Sequence, residues 1–307
     1  MTRIESLGAW PARVLWVVLA LVSASTIGDA FEGRSRAVVD VAASGLALGW
    51  AGGLVALLVP RSTSLTALRV LAPAGVLAMV AAVLAGGQTE AIDVVTVAVA
   101  ALAAVAALAP WVAEAWVDGS AYGPEERTPL RAPPVLTLAV APLTWALVIA
   151  GATAGPLLLG ARRWVPGVTV LVVGWFVAAA GVRSLHQLAR RWVVVVPAGL
   201  VVHDPLTMPE PQLFLRASIR HLGPAVVGPQ SLVDPTTGEV GDGAVTEDLT
   251  AGAAGLALEL VTDQEVELLV RTGRRTTATR PVGRILFTPT RPLTVLDAAR
   301  ARRIPVS

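Results

Sequence analysis

The sequence predicts a membrane protein: a bundle of about six transmembrane helices, followed by a small β-rich domain with a C-terminal helix. Apolar residues make up 54% of the 307 residues and charged residues only 15%, whereas soluble domains carry about a quarter charged residues. Residues 1–182 contain 20 charges in short stretches, and residues 183–307 contain 26 charges spread among short apolar runs. We therefore predict a transmembrane domain at residues 1–182 and a β-rich domain at residues 190–307.

The spans follow from the charge-free runs, because a helix needs about 20 mostly apolar residues to cross a bilayer. Five such runs are long enough. A sixth, at the N terminus, is shorter. The predicted spans are residues 10–28, 38–60, 67–88, 93–113, 135–158 and 164–183.

The first span has two interpretations. Only 15 uncharged residues separate Arg13 from Asp29, although Trp10 and a snorkelling Arg13 extend the segment to a full span. Alternatively, the segment is a signal peptide that is cleaved near residues 23–25. Retention is favoured because five more spans follow closely.

Orientation follows from the arginines, since all 24 basic residues are Arg. Six spans place both termini on one side. With the N terminus inside, nine arginines lie on the cytoplasmic side and four outside, which agrees with the positive-inside rule. The nine are Arg3, Arg13, Arg61, Arg69, Arg127, Arg131, Arg183, Arg190 and Arg191; the four are Arg34, Arg36, Arg162 and Arg163. We expect a multi-pass cell-membrane protein with cytoplasmic N and C termini.

Small residues predict close helix packing within the bundle. Gly45, Gly49 and Gly53 form a tandem G-x-x-x-G in the second span, and Gly151 and Gly155 repeat the motif in the fifth. Residues four apart share a helix face and let another helix approach. Packing within the chain is the default interpretation, and packing between copies is the alternative.

Ionisable residues lie near the predicted span ends, as Asp29, Asp40, Arg69, Asp93 and Glu114 show. Ion-coupled carriers usually hold such residues at the bilayer centre, so the pattern weakly disfavours them. Two prolines within the fifth span predict a bend or a hinge. They are Pro142 and Pro156.

The loop at residues 118–134, DGSAYGPEERTPLRAPP, should be irregular, since Gly and Pro punctuate it. It is also the segment that we expect to contact the C-terminal domain. In that domain, residues 192–196 and 200–203 predict one hairpin and residues 255–261 and 265–270 a second, across residues 262–264. A helix follows Pro292, with Leu293, Leu296 and Ala299 on one face.

A resemblance appears in two stretches, RRWVVVVPAGLVVHDPLTMPEPQLFLRASIRHLGP and RPLTVLDAARARR. Residues 190–304 look like bacterial PH-like domains, although the predicted long loop at 223–254 departs from a compact one. The whole chain, including AYGPEERTPLR, resembles uncharacterised multi-span membrane proteins of high-GC Gram-positive bacteria. The resemblance implies a PH-like fold for the tail and no particular activity.

One basic cluster in the tail is a candidate contact for anionic lipids or an acidic partner; the alternative is an ordinary solvated loop. It comprises Arg271, Arg274, Arg275, Arg280 and Arg284. The arginines just after the last span, at 183, 190 and 191, are interpreted as solvated positive-inside residues.

Catalytic motifs are missing from the sequence. There is no cysteine, no G-x-S-x-G and no P-loop, and none of the three histidines has an i, i+4 partner suited to zinc. The net charge of +2 does not argue for nucleic acid. We expect no catalytic residue, metal or cofactor, and a non-enzymatic role is favoured.

The expected function is a membrane-anchored interaction or scaffold module, which lies in the lipid bilayer and acts through its PH-like tail. The alternative is a transporter or channel subunit with a regulatory cytoplasmic domain. A membrane enzyme comes third and would need polar groups near Asp40, Glu114 or the 118–134 loop.

Overall fold

The computed structural model describes residues 8–225, 245–273 and 276–307. The chain forms two compact units. The helical unit comprises Met1–Ser120 and Val140–His186, and the β unit comprises Ala121–Ala139 and Gln187–Ser307. The β unit therefore takes in residues 121–134, which lie between the fourth and fifth predicted spans, and the first five residues of the fifth predicted span.

The helical unit contains eight helices within the described residues. They are α1 (Trp10–Val22), α2 (Ala24–Phe31), α3 (Arg36–Leu58), α4 (Ser62–Gly86), α5 (Ala91–Ala107), α6 (Pro110–Asp118), α7 (Ala141–Gly160) and α8 (Trp164–Ala189). A π-helical turn, Leu136–Val140, precedes α7.

Four helical segments in the described part of the chain are long and apolar enough to cross a membrane: α3, α4, Leu136–Gly160 and α8. The number rises to six if each of two bent pairs counts as one span. The angle is 43° between α1 and α2 and 48° between α5 and α6. Pro110 begins α6, and because proline lacks an amide proton and its ring clashes with the preceding turn, it ends α5. The abundance of apolar helices confirms the predicted membrane-embedded class.

Three polar contacts join helix ends at one level of the helical unit. The start of α1 meets the end of α3, the end of α6 meets the end of α3, and the start of α4 meets the end of α8. The contacts are Arg13 Nε to Leu57 O at 3.0 Å, Trp116 Nε1 to Ala56 O at 2.8 Å, and Thr66 Oγ1 to His186 Nδ1 at 2.8 Å.

The opposite ends meet at a second level. Gly86 at the end of α4 packs on Asp29 in α2, and Gly160 at the end of α7 packs on Ala37 at the start of α3. Each bent pair therefore has its start at one level and its end at the other, as a single traverse requires.

Two tryptophans hold α1 against α3. Trp16 Nε1 donates to Trp50 O at 2.9 Å, and Trp50 Nε1 donates to Trp16 O at 3.0 Å. An indole N–H in apolar surroundings needs an acceptor, and each tryptophan uses the other's carbonyl. The Trp16 ring occupies the space beside Gly53, where a Cβ would overlap it.

The five glycines predicted for helix packing divide into two groups. Gly53 meets Trp16, Gly151 meets the backbone of Gly174 in α8, and Gly155 meets the backbone of Leu171. A Cβ added at Gly45 or Gly49 would have no atom within 4 Å. Three of the five positions thus make close intramolecular contacts, and two face open space.

We expect Gly151→Val to destabilise the helical unit by about 1–3 kcal/mol, because the added side chain would overlap the Gly174 carbonyl and force α7 from α8. Thermal unfolding of the purified chain in detergent measures the effect. Gly45→Val is the matched control and should stay within about 0.5 kcal/mol of the native chain. Equal unfolding temperatures for the two variants would contradict the close approach.

Within its described residues, the β unit contains two four-stranded sheets and a helix. The strands are β1 (Glu126–Pro129), β2 (Trp192–Val196), β3 (Gly199–His203), β4 (Gln212–Leu215), β5 (Ile219–Pro224), β6 (Thr246–Asp248), β7 (Leu258–Arg271) and β8 (Thr277–Phe287). The first sheet has the order β1-β2-β3-β4, and all its pairs are antiparallel. The second has the order β5-β7-β8-β6, with β6 parallel to β8. Helix α9 (Pro292–Ala301) follows.

The predicted hairpin of β2 and β3 is confirmed, but the second predicted hairpin is wrong. Residues 258–271 form one long strand, β7, that pairs with β8 on both sides of an irregularity between Val261 and Val266. Thr262 Oγ1 donates to Gln264 O at 2.7 Å, which closes a bulge. The polar residues that suggested a turn therefore serve a β-bulge.

A hydrophobic core of described residues joins both sheets and α9. Its members include Val193, Leu200, Leu258 and Phe287 from the strands. In α9 the buried residues are Val295, Leu296, Ala298 and Ala299, whereas Leu293 is 70% exposed. The predicted face of α9 was thus wrong at Leu293, because the helix turns that residue away from the sheets.

Candidate functional site

The basic cluster predicted from the sequence is partly neutralised. Arg280 Nη1 lies 3.0 Å from Glu247 Oε2, and Arg284 Nη1 lies 3.7 Å from Glu259 Oε2. Arg271 is exposed at the end of β7. Arg274 and Arg275 lie outside the described residues. The described arginines on β8 therefore have carboxylate partners, which reduces the positive charge that they offer to a lipid.

A serine, a histidine and a glutamate converge where no sequence spacing indicated it. Ser307 Oγ lies 3.2 Å from His221 Nε2, and Glu259 Oε1 lies 3.8 Å from the same nitrogen. A catalytic triad needs the nucleophile and the carboxylate on opposite ring nitrogens. Because both groups share Nε2, the arrangement is not that of a nucleophile and its base.

The segment between the fourth and fifth predicted spans is built into the β unit. The predicted contact between this loop and the tail is confirmed, but the expectation of an irregular loop is wrong at β1. Strand β1 pairs antiparallel with β2, with Glu126 opposite Val195 and Pro129 opposite Trp192. Leu130 follows, is 6% exposed and belongs to the core of the β unit.

A buried ion pair fastens this segment. Arg191 and Asp204 form a bidentate pair, with Nε–Oδ1 and Nη2–Oδ2 distances of 2.7 Å, and their side chains are 1% and 0% exposed. Arg191 Nη1 also donates to Arg131 O at 2.8 Å. The interpretation of Arg191 as a solvated positive-inside residue is therefore wrong: its guanidinium is buried by the same segment whose carbonyl it binds.

Further hydrogen bonds hold the segment from its other side. Thr290 N donates to Pro129 O at 2.9 Å, and Arg131 N donates to Thr288 O at 2.8 Å. Arg302, just after α9, pairs with Glu126 at 2.9 Å. The segment thus bridges β2 to the end of β8, and the β unit is incomplete without it.

A stacked histidine lies beside β1. The ring of His203 stacks on Trp192 at 4.7 Å between centroids, and the Arg127 guanidinium lies 5.7 Å from the Trp192 centroid. His203 Nδ1 lies 2.5 Å from Arg190 O and donates to it, while Nε2 accepts from Arg190 Nη2 at 3.4 Å. These contacts define a neutral imidazole. Burial lowers the pKa of His203, and the positive charge of Arg190 adds to the effect.

The β unit should lose stability on acidification through His203. Because its pKa is lower in the folded chain, the unfolded chain binds the proton more readily, so this contribution is present above the ordinary pKa of about 6.5 and is lost as the pH falls below it. Thermal unfolding between about pH 7.5 and pH 5.5 measures the trend. His203→Phe keeps a ring on Trp192 and should reduce the dependence of the unfolding temperature on pH. His221→Phe, the control, should leave the His203 contribution unchanged; equal slopes in both variants would contradict the assignment.

An open strand edge lies on the other side of the first sheet. β4 is the last strand of that sheet. Arg216 N bonds to Ala198 O, and the alternation of an antiparallel ladder then directs the N–H and C=O groups of Leu213 and Leu215 away from β3. These two side chains are 40% and 54% exposed.

A groove of about 280 Å³ adjoins this edge. Glu210, Pro211 and Gln212 line one wall, and Glu267 and Leu269 of β7 line the other. Within the described residues neither Glu210 nor Glu267 has a cationic partner. Within the described residues, the groove therefore presents two carboxylates without a cationic partner, next to the strand whose Leu213 and Leu215 amides point outward.

In the part of the helical unit that the structure describes, Asp93 is the buried carboxylate. Thr26 Oγ1 donates to Asp93 Oδ1 at 2.7 Å, and Glu90 N donates to Oδ2 at 2.9 Å, which completes a capping box at the start of α5. Thr96 Oγ1 donates to Val22 O at 3.0 Å. These bonds join the break between α1 and α2 to α5 and give Asp93 a structural role as a helix cap.

No family model, curated protein or solved structure matches this chain. In the described residues no three His, Asp or Glu side chains converge to hold a metal ion. The groove beside β4 is the arrangement with the clearest chemistry for binding.

Proposed function

We propose that this chain is a six-span membrane protein whose cytoplasmic β unit binds an extended segment of a protein partner at the edge of β4. The observation that carries the proposal is the open edge beside the acidic groove. Two four-stranded sheets with a closing C-terminal helix also support a PH-like fold for this unit.

The chain has six spans if each bent pair of helices crosses the membrane once. The contacts between helix ends support this count, because each pair begins at one level of the helical unit and ends at the other. Residues 121–134 and the tail then lie on the same side of the membrane, because two spans separate them along the chain. The excess of arginine on that side favours the cytoplasm. Since the chain has no cysteine, single cysteines test this directly: an impermeant thiol reagent should label Glu32→Cys in intact cells and Ser307→Cys only after permeabilisation. The reverse pattern would overturn the orientation.

The edge of β4 offers hydrogen bonds to an added strand. Gln212 Nε2 donates to Leu213 O at 3.1 Å and Ser218 Oγ donates to Leu215 O at 2.8 Å, so side chains of this unit already cover the outward carbonyls. The Leu213 and Leu215 amides point outward with no acceptor among the described residues. Main-chain pairing of this kind provides affinity without requiring a particular sequence.

The groove adds selectivity by charge. Glu210 and Glu267 lie on its two walls, so a strand with basic side chains meets complementary charge and an acidic strand meets repulsion. The exposed Leu213 and Leu215 side chains add apolar contact. The partner segment is therefore expected to be extended, apolar on alternate residues and basic.

The test uses the full chain in nanodiscs and two labelled peptides, one alternating valine with lysine and one alternating valine with glutamate. The lysine peptide should bind more tightly, and fluorescence anisotropy measures both. Leu213→Pro removes the outward amide and should weaken binding by up to about tenfold, the equivalent of one backbone hydrogen bond.

Leu213→Ala keeps the amide and is the matched control for the lost N–H. Glu267→Gln tests the charge and should weaken binding of the lysine peptide alone. Equal binding of the two peptides, or equal affinities for Leu213→Pro and Leu213→Ala, would overturn the proposal.

A second candidate is a transporter or channel subunit, and one observation favours it. Among the six proposed spans, the first and the fourth are broken, and these are equivalent positions in two halves of three spans. Broken helices at matching positions of inverted halves often form transport sites. Helices α1 and α5 of these two spans also pack against each other.

Water access at the break tests this candidate. A cysteine introduced at Ser23 should react with a water-soluble thiol reagent in liposomes if an aqueous path reaches the break. Leu48→Cys, on the exposed apolar surface of α3, should stay unlabelled. Protection of both cysteines would remove the second candidate and leave the first unaffected.

A further inference from the structure

Arg69 is a charged side chain inside a transmembrane helix without a partner in the described chain. The charge-free runs predicted a position near the end of a span, but α4 begins at Ser62 and Arg69 lies two turns further in. Helix α4 packs against α2, α3, α5, α6 and α7. The Arg69 residue is half-buried there, yet no hydrogen bond, ion pair or ring contact to the described residues involves its side chain.

Two other arginines that are half-buried or buried do have partners. Arg13 is half-buried at the start of α1, and its guanidinium donates to Leu57 O and lies 5.3 Å from the Trp10 ring centroid. Arg191 is buried and has a carboxylate and a carbonyl. A guanidinium carries five N–H donors and keeps its charge, and burying it without an acceptor is strongly unfavourable. The acceptor for Arg69 must therefore come from outside the described chain.

The depth of Arg69 indicates which acceptor that is. The 17 residues from Val70 to Gly86 span about 25 Å of helix, slightly less than the hydrocarbon thickness of about 30 Å. Helical side chains lean towards the N terminus, which carries the guanidinium towards the near surface. This is the depth at which a long basic side chain reaches the lipid headgroups.

We propose that Arg69 binds the phosphate of an anionic lipid that inserts its headgroup beside α4. The shared chemistry is a phosphate oxyanion, for which the guanidinium fork is suited to bidentate recognition. A lipid fits better than a soluble anion because the apolar part of α4 begins directly after Arg69. The residue remains partly accessible, so a headgroup can reach it.

The experiment uses the full chain, purified in detergent, delipidated and titrated with lipid. Phosphatidylglycerol should raise the unfolding temperature and remain bound in native mass spectrometry. Phosphatidylcholine tests the need for net negative lipid charge, and inorganic phosphate tests a soluble anion. Arg69→Leu should weaken phosphatidylglycerol binding about tenfold or more, because charge-assisted bonds are lost. Arg69→Lys should retain part of it.

Arg183→Leu is the matched control, because Arg183 lies one turn before His186 in α8, is exposed and carries the same charge. That variant should retain the bound lipid. Titration of the unmodified protein keeps the test informative even if Arg69→Leu fails to fold. Equal lipid retention in Arg69→Leu and Arg183→Leu, or equal stabilisation by inorganic phosphate and phosphatidylglycerol, would overturn the proposal. Neither result bears on peptide binding at β4.

Discussion

Replacing Arg191 with methionine is expected to destabilise the β unit by about 3–5 kcal/mol, because it leaves the Asp204 carboxylate buried without its partner. The change also removes the donor to Arg131 O, and so loosens segment 121–139. Pulse proteolysis of the full chain in nanodiscs across a urea series measures the loss, since the native β unit should resist cleavage to higher urea than the variant.

The neighbouring Arg190 offers a matched control. Its side chain is exposed, and Arg190→Met should change stability by less than about 0.5 kcal/mol. The double variant Arg191→Met with Asp204→Leu should recover much of the loss, because an apolar pair often replaces a buried ion pair without penalty. If Arg191→Met and Arg190→Met unfold at the same urea concentration, the buried pair does not fasten the unit.

The tail expressed alone, residues 187–307, is expected not to fold stably. Without residues 121–134 it loses β1, the Leu130 side chain in its core and the acceptor carbonyl for Arg191. Removal of Leu130 from the core alone costs about 2–5 kcal/mol, a large part of the stability of a small domain. Circular dichroism and urea unfolding of the soluble fragment measure the outcome.

A fusion supplies the control. Residues 121–134 joined to residues 187–307 by a flexible linker of about 15 residues should restore cooperative unfolding. The same fusion with Leu130→Asp should not, because a carboxylate would enter the apolar core. Identical unfolding of the tail with and without the added segment would show that β1 is dispensable.

Features that depend on residues close together in the chain were predictable, and features that depend on distant residues were not. Long apolar runs predicted the membrane-spanning helices. Each residue of such a helix must be apolar enough for the hydrocarbon core, so the requirement is visible in the composition of the segment. The hairpin of β2 and β3 was also predictable, since two β-branched runs flank the turn at Pro197-Ala198. Each of these elements depends on residues close together in the chain.

Three structural features could not be predicted from neighbouring residues. Strand β1, Glu-Arg-Thr-Pro, is too short and polar to indicate a strand, and its partner β2 lies more than 60 residues away. Arg191 follows the last span like any positive-inside residue, and only the return of Asp204 and Arg131 to its side buries it. Residues 262–264 have turn composition, but the length of β8 keeps them in β7 as a bulge.

The candidate sites show the same division. The sequence identified a basic cluster, whereas the acidic groove beside β4 depends on Glu210 and Glu267, which lie more than 50 residues apart in the chain. Arg69 was visible as a charge between apolar runs, but its position inside α4 required the true start of that helix. Hydrophobicity alone decided that this chain belongs in a membrane. Tertiary contacts decided which loop completes the β unit, which arginine is buried and which arginine has no partner among the described residues. The reason is that pairing energies depend on groups that only folding brings together.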